Sequence, residues 1–141
     1  MAKLQKQLEV VATLDHLTVV QGFVEENLEM CECPMKVVMQ ITLALEEIFV
    51  NIASYAYTTG VGTCRIDLQI DYENENGTMQ LLLCDKGMPF NPLEKEDPDV
   101  TLSAEDREIG GLGIYMVKKS MDQVSYEFNN GENQLKIVKS W

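Results

Sequence analysis

Apolar and polar residues alternate from about residue 3 to residue 13, with Leu4, Leu8, Val10 and Ala12 on one side and Gln5, Gln7 and Glu9 on the other. A period of two predicts a half-buried strand. The period then lengthens: Leu17, Val20, Val24, Leu28 and Cys31 recur at helical spacing over about residues 16–31, and Asp15 stands where an N-cap is expected. Cys33-Pro34 breaks that run and starts a second helix, from about Met35 to Tyr57, that is apolar almost all round. Val37, Ile41, Ala44, Leu45, Ile48 and Ile52 make its apolar part, while Glu47, Asn51 and Ser54 form one polar stripe. Such a helix is expected to be buried, and its carboxylate and carboxamide then need partners or a ligand.

The helix closes near Gly60 and Gly62, and strict alternation follows: Cys64, Ile66, Leu68, Ile70 and Tyr72 against Arg65, Asp67, Gln69 and Asp71. Asn74-Glu75-Asn76-Gly77 predicts a hairpin, with Asn-Gly supplying positive φ, and a partner strand runs over about 78–84. That strand stops at Asp85-Lys86-Gly87-Met88-Pro89-Phe90. No pattern survives from Asn91 to Glu108, where seven acidic residues face only Lys95 and Arg107. A loop of this length inside a compact domain is usually functional or disordered. Gly110-Gly111-Leu112-Gly113 then opens a third helix, reaching about Met121, with Leu112, Tyr115, Met116 and Met121 expected on its buried side. Two strands near 123–129 and 133–140 meet at Asn129-Asn130-Gly131. The order predicts an α+β fold: a two-layer α/β sandwich whose mixed, mostly antiparallel sheet is covered on one face by three helices. One domain spanning 1–141 is expected.

Charge narrows the partners. A formal net charge of −12 repels phosphates and argues against direct nucleic-acid binding; a basic protein surface suits it better, and solubility alone also accounts for it. Glu46, Glu47 and Asn51 interrupt the longest apolar run, and the first residues hold no signal-peptide core, so a cytoplasmic protein without a membrane segment is expected. Cys31, Cys33, Cys64 and Cys84 are then expected to be reduced and packed; Cys31-Glu-Cys33 has too few ligands nearby for zinc.

Three short signals carry candidate chemistry. Glu47 and Asn51 stack on one helical face; Asp85-x-Gly87 follows a hairpin strand; glycines open the third helix, where exposed backbone N–H groups make a seat for phosphate. Singly, each has a plain reading as surface polarity, turn chemistry or a hinge. Neither a dinucleotide fingerprint nor a Gly-x4-Gly-Lys-[Ser/Thr] loop is present. Their order and spacing carry the weight.

With those residues in view, the chain resembles the histidine-kinase-like ATPase superfamily, and within it the stand-alone anti-sigma-factor serine kinases of bacteria. Glu47-Ile-Phe-Val-Asn51 matches the asparagine box, Asp85 to Phe90 the first glycine box, and Gly110 to Val117 the second. The resemblance implies binding of ATP and Mg2+: Asn51 as metal ligand, Asp85 accepting from the adenine amino group, and Gly87 letting backbone approach the base. It places Phe90 in the first box, and wraps the phosphates with Gly110, Gly111, Leu112 and Gly113 under a lid at about 91–109. It makes Glu47 the general base toward a serine of a partner. It further implies a sigma factor and an anti-sigma-factor antagonist as partners, and a homodimer. Ser54 and Tyr55 depart from the basic residue and His of many relatives, leaving Arg107, Lys118 or Lys119 to meet the γ-phosphate. The rival reading is a nucleotide-regulated protein-binding module without kinase activity. The catalytic domain of a histidine kinase is disfavoured, because the single His16 is a poor phosphoacceptor.

Overall fold

In the computed structural model, which describes residues 2–57, 60–94 and 112–141, the alternating segments form one five-stranded sheet. The strands are β1 (Ala2–Val11), β2 (Thr63–Glu73), β3 (Asn76–Asp85), β4 (Gln123–Asn129) and β5 (Glu132–Ser140), in spatial order β1-β2-β3-β5-β4. All four pairings are antiparallel, so the mixed sheet expected from the sequence is replaced by a uniformly antiparallel one among the described residues. Register explains the core. Leu68 lies opposite Leu81, which lies opposite Ile137; Ile66 lies opposite Leu83, which lies opposite Leu135. These rows face the helices and are buried. The other face carries Gln5 across from Gln69 across from Gln80, and an Arg65–Glu132 ion pair at 2.8 Å, as expected for a sheet with one solvated side.

The helices α1 (Leu17–Met30), α2 (Met35–Asn51) and α3 (Leu112–Ser120) cover the apolar face, with α2 packed against both others. Asp15 does not cap α1. The chain enters through a 3-10 turn, Leu14–His16, so the N-cap position falls on His16, whose Nδ1 lies 2.8 Å from Thr13 Oγ1. Pro34, extended at φ −60°, precedes α2, and one turn of wider helix, Ile52–Ala56, continues it. Val38, Ile41, Ala44, Leu45, Ile48 and Phe49 are the buried side of α2.

The expected all-round burial of α2 is not observed. Met35, Met39 and Leu43 are exposed, because α2 lies in the outer of two layers and a single sheet can cover only one of its sides. Met35–Ala56 has the length and mean hydropathy (1.5) of a membrane span, but in this fold it serves as the central core helix. In α3 the phase also differs from expectation: Ile114 and Val117 are buried with Met121 just beyond, whereas Met116 is exposed and Tyr115 half-buried.

The first hairpin turns differently from the Asn-Gly reading. Positive φ falls on Asn74 (56°) and not on Gly77. Gly77 instead exchanges two backbone hydrogen bonds with Trp141, and a side chain there would run into the indole. The second hairpin, with Asn130 and Gly131 both at positive φ, fits its sequence.

Candidate functional site

The core-facing rows of β3 and β5 end in polar residues. Met79, Leu81 and Leu83 are followed on the same face by Asp85, and Ile137 and Leu135 by Asn133 directly opposite it. Both are buried, at 5% and 7% exposure. Asn133 Nδ2 donates to Asp85 Oδ1 at 2.9 Å and to the Met88 carbonyl at 2.9 Å. Asn133 Oδ1 accepts from the Phe90 amide at 3.1 Å and from the Tyr126 hydroxyl. The Gly87 amide also donates to Asp85 Oδ1, at 2.9 Å. One carboxylate oxygen is therefore committed to the loop, while Oδ2 carries no hydrogen bond among the described residues. Burial pushes the Asp85 carboxyl above its ordinary pKa, and the Asn133 and Gly87 hydrogen bonds oppose that shift in part.

The loop after β3 is fastened to the end of α2. The Met88 amide donates to the Ala56 carbonyl at 2.9 Å, and a Cβ on Gly87 would overlap that same carbonyl. Glycine is required here by the helix-end backbone. Tyr57 adds a clamp, its hydroxyl donating to Thr63 O at 2.6 Å and accepting from the Lys86 amide at 2.9 Å. The result is a pocket between helix and sheet, with Ile48, Ile52, Leu83 and Leu135 among its walls, Asp85 within, and Asn51, Met88 and Phe90 bordering it.

Asn51 is half-buried on the pocket side of α2, and Glu47, one turn earlier, is exposed. A Cβ on Gly113, near the start of α3, would overlap the Glu47 carboxylate, so this glycine allows the α3 backbone to reach Glu47. Asp85, Asn51 and Phe90 thus share one pocket, Gly87 packs against the Ala56 carbonyl at its edge, and Glu47 and Gly113 meet beside it. Phe90 itself is exposed, bordering the pocket and holding Asn133 by its amide. Gly110, Gly111, Arg107 and most of the expected lid lie outside the described residues, as does the Leu112 side chain. Asn133 and Tyr126 escaped the sequence reading; their only signal is register, since Asn133 pairs with Asp85 across two strands remote in sequence.

The family model described as "Histidine kinase-like ATPase domain" matches residues 10–139. The chain belongs to that family. This histidine kinase-like ATPase domain is also similar to "Serine/threonine-protein kinase BtrW" of Bordetella bronchiseptica, 26% identical over 98 residues that make up 70% of this chain and 67% of the relative. An ATPase domain binds ATP, and the pocket's donor set suits an adenine base: apolar walls for a flat ring and an unengaged carboxylate oxygen for an exocyclic amine. Among the described residues no group of three or more His, Cys, Asp or Glu could hold a metal. A hard cation here would lean on Asn51 and on the nucleotide's own phosphates.

Proposed function

We propose that the protein is an ATP-Mg-dependent protein serine kinase that doubles as an anti-sigma factor, phosphorylating a serine of the antagonist that frees the sigma factor. The observation carrying this reading is that a single helix, α2, presents Asn51 to the base pocket and Glu47 beside it, one turn apart. Asp85 Oδ2 accepts a hydrogen bond from the adenine amino group, which selects against guanine because guanine presents a carbonyl oxygen there. Asn51 offers its carbonyl oxygen to Mg2+, which when bound neutralises charge on the phosphates. Glu47 takes the proton from the acceptor serine as the serine oxygen bonds to the γ-phosphorus and ADP departs. Gly110, Gly111, Leu112 and Gly113 are assigned to the phosphates, and residues 91–109 to the lid. A cytoplasmic location and a homodimer belong to the same proposal.

Thermal unfolding with Mg-ADP, Mg-ATP and Mg-GTP tests the first half. Ligand at 100 times its Kd adds about 2.7 kcal/mol, a shift of roughly 5 °C for a chain of this size. Adenine nucleotides are expected to give it and GTP not. No shift at millimolar adenine nucleotide sinks the reading. A nucleotide-sensing module without transfer is favoured by one observation: no Lys or Arg lines the pocket among the described residues. Labelled ATP and purified antagonist decide between the two, by the presence or absence of phosphoserine.

A further inference from the structure

Asp85 and Asn133 stand directly opposite each other on β3 and β5, near enough for their side chains to meet across the strands. Tyr126 on β4 is opposite Leu135 and so diagonal to Asn133, a distance that an aromatic side chain spans. A carboxamide has two N–H donors and an oxygen with two lone pairs. Here all four are used. Nδ2 donates to Asp85 Oδ1 and to the Met88 carbonyl, both at 2.9 Å. Oδ1 accepts from the Phe90 amide at 3.1 Å and from the Tyr126 hydroxyl. Two of these partners cannot change role, because a backbone carbonyl only accepts and a backbone N–H only donates. Turning the carboxamide over would set its oxygen against the Met88 carbonyl and its NH2 against the Phe90 amide. The loop backbone thus fixes the orientation of Asn133, and Asn133 in turn presents a donor to Asp85.

We infer that Asn133, steadied by Tyr126, is the positioning residue that sets the base specificity of this pocket for a 6-aminopurine. The inference rests on the reading of the pocket as an adenine site. Asp85 Oδ1 receives two donors, Asn133 and the Gly87 amide at 2.9 Å, so both its lone pairs are occupied. Oδ2 is left to meet the base, and it only accepts while the carboxyl is ionised. A 6-amino group donates to it. A 6-oxo group would face it lone pair to lone pair, and fits only when Oδ2 carries a hydrogen. Burial and the charge of Glu132 favour that hydrogen, whereas the Asn133 and Gly87 donors oppose it. Two other titratable neighbours, Cys64 on β2 and Tyr57 after α2, are kept neutral, burial pushing both upward. Asn133 is the side-chain donor in this balance, and a substitution can remove it. A residue that merely stapled the loop would affect stability and weaken every nucleotide alike, without changing which base is chosen.

Calorimetry of the full chain with Mg-ADP and with Mg-IDP tests this, since the inosine base differs from adenine only in a 6-oxo group and an N1 hydrogen. Asn133→Val and Asn133→Thr both sever the bonds to Met88 and Phe90 and are nearly alike in shape. Only the threonine hydroxyl can donate to Asp85. The wild type is expected to prefer ADP. Asn133→Val should lower the ADP-to-IDP affinity ratio about tenfold or more, and Asn133→Thr should restore most of it. Tyr126→Phe leaves the Phe90 amide to hold the carboxamide and should lower the ratio about two- to fivefold. An unchanged ratio in Asn133→Val, or an equally low one in Asn133→Thr, makes Asn133 a staple and overturns the inference while the adenine site stands. Should neither variant at this position fold, an unchanged ratio in Tyr126→Phe overturns it alone. A wild type that binds ADP and IDP equally removes Asp85 as reader of the amino group, and the inference with it. Binding of neither removes the nucleotide site itself.

Discussion

The two ends of the candidate site are built by different means. At the sheet end, Asp85, Asn133 and Tyr126 come from three neighbouring strands, are locked by register, and hydrogen-bond one another out of water. At the helix end, Glu47 is exposed, Asn51 is half-buried, and neither hydrogen-bonds to the other or to the sheet among the described residues. A preorganised, desolvated end suits recognition of a fixed flat group. An end exposed in this way suits a step completed only when phosphates and an acceptor arrive. Substitutions at the sheet end should therefore change affinity and stability, and substitution of Glu47 at the helix end should change transfer alone.

The largest expected effect lies at the helix end. Glu47→Gln should lower serine phosphorylation by about 10^2- to 10^4-fold while the unfolding free energy stays within about 0.5 kcal/mol; transfer at the wild-type rate would remove Glu47 as base. Next comes Gly87→Val, which drives a side chain into the Ala56 carbonyl and separates the loop from α2. A loss of about 1–3 kcal/mol in urea unfolding is expected, together with loss of the nucleotide-induced shift.

Asp85→Asn sharpens the contrast, because the amide oxygen can still accept from Gly87 and Asn133 while its nitrogen meets the adenine amine donor to donor. Mg-ADP affinity should fall about 10- to 100-fold by calorimetry in a protein that remains folded. The pH dependence has a definite sign. Since the folded Asp85 carboxyl sits above its ordinary value, Mg-ADP affinity should fall as pH drops through that raised value. The native state binds this proton more readily than the unfolded chain, so burial of the charge destabilises the protein above the folded pKa, and that penalty fades as pH falls toward the ordinary carboxylate range. Urea titrations across this range should lose the contribution in Asp85→Asn. The smallest effect is Gly113→Ala: the atom it meets is the movable tip of Glu47, so stability should change by less than about 1 kcal/mol, with transfer reduced through displacement of the carboxylate.

The sheet's alternation and the Glu47–Asn51 and Asp85–Gly87 spacings were legible because each depends on residues close in sequence. Asn133 and Tyr126 were not, because they reach Asp85 through strand pairing across β3, β5 and β4, which no local pattern encodes. Gly87 was found by motif, but its neighbour, the Ala56 carbonyl, belongs to tertiary packing. The exposure of Met35, Met39 and Leu43 on a helix expected to be buried was not legible for a related reason: periodicity reports which side chains are apolar and not which of them another layer covers. Asp15 failed as a cap because a 3-10 turn moved the helix start past it.

The strap between Gly77 and Trp141 gives the molecule an optical readout. Trp141 is the single tryptophan of the sequence, and its indole N–H is buried without a hydrogen-bond partner among the described residues, an environment that shifts emission toward the blue. It sits at the Gly77 end of β3, about 26 Å of strand from Asp85. Fluorescence from this one ring therefore reports whether the far end of the sheet is intact, and adenine binding at the other end will reach it only by stabilising the whole fold.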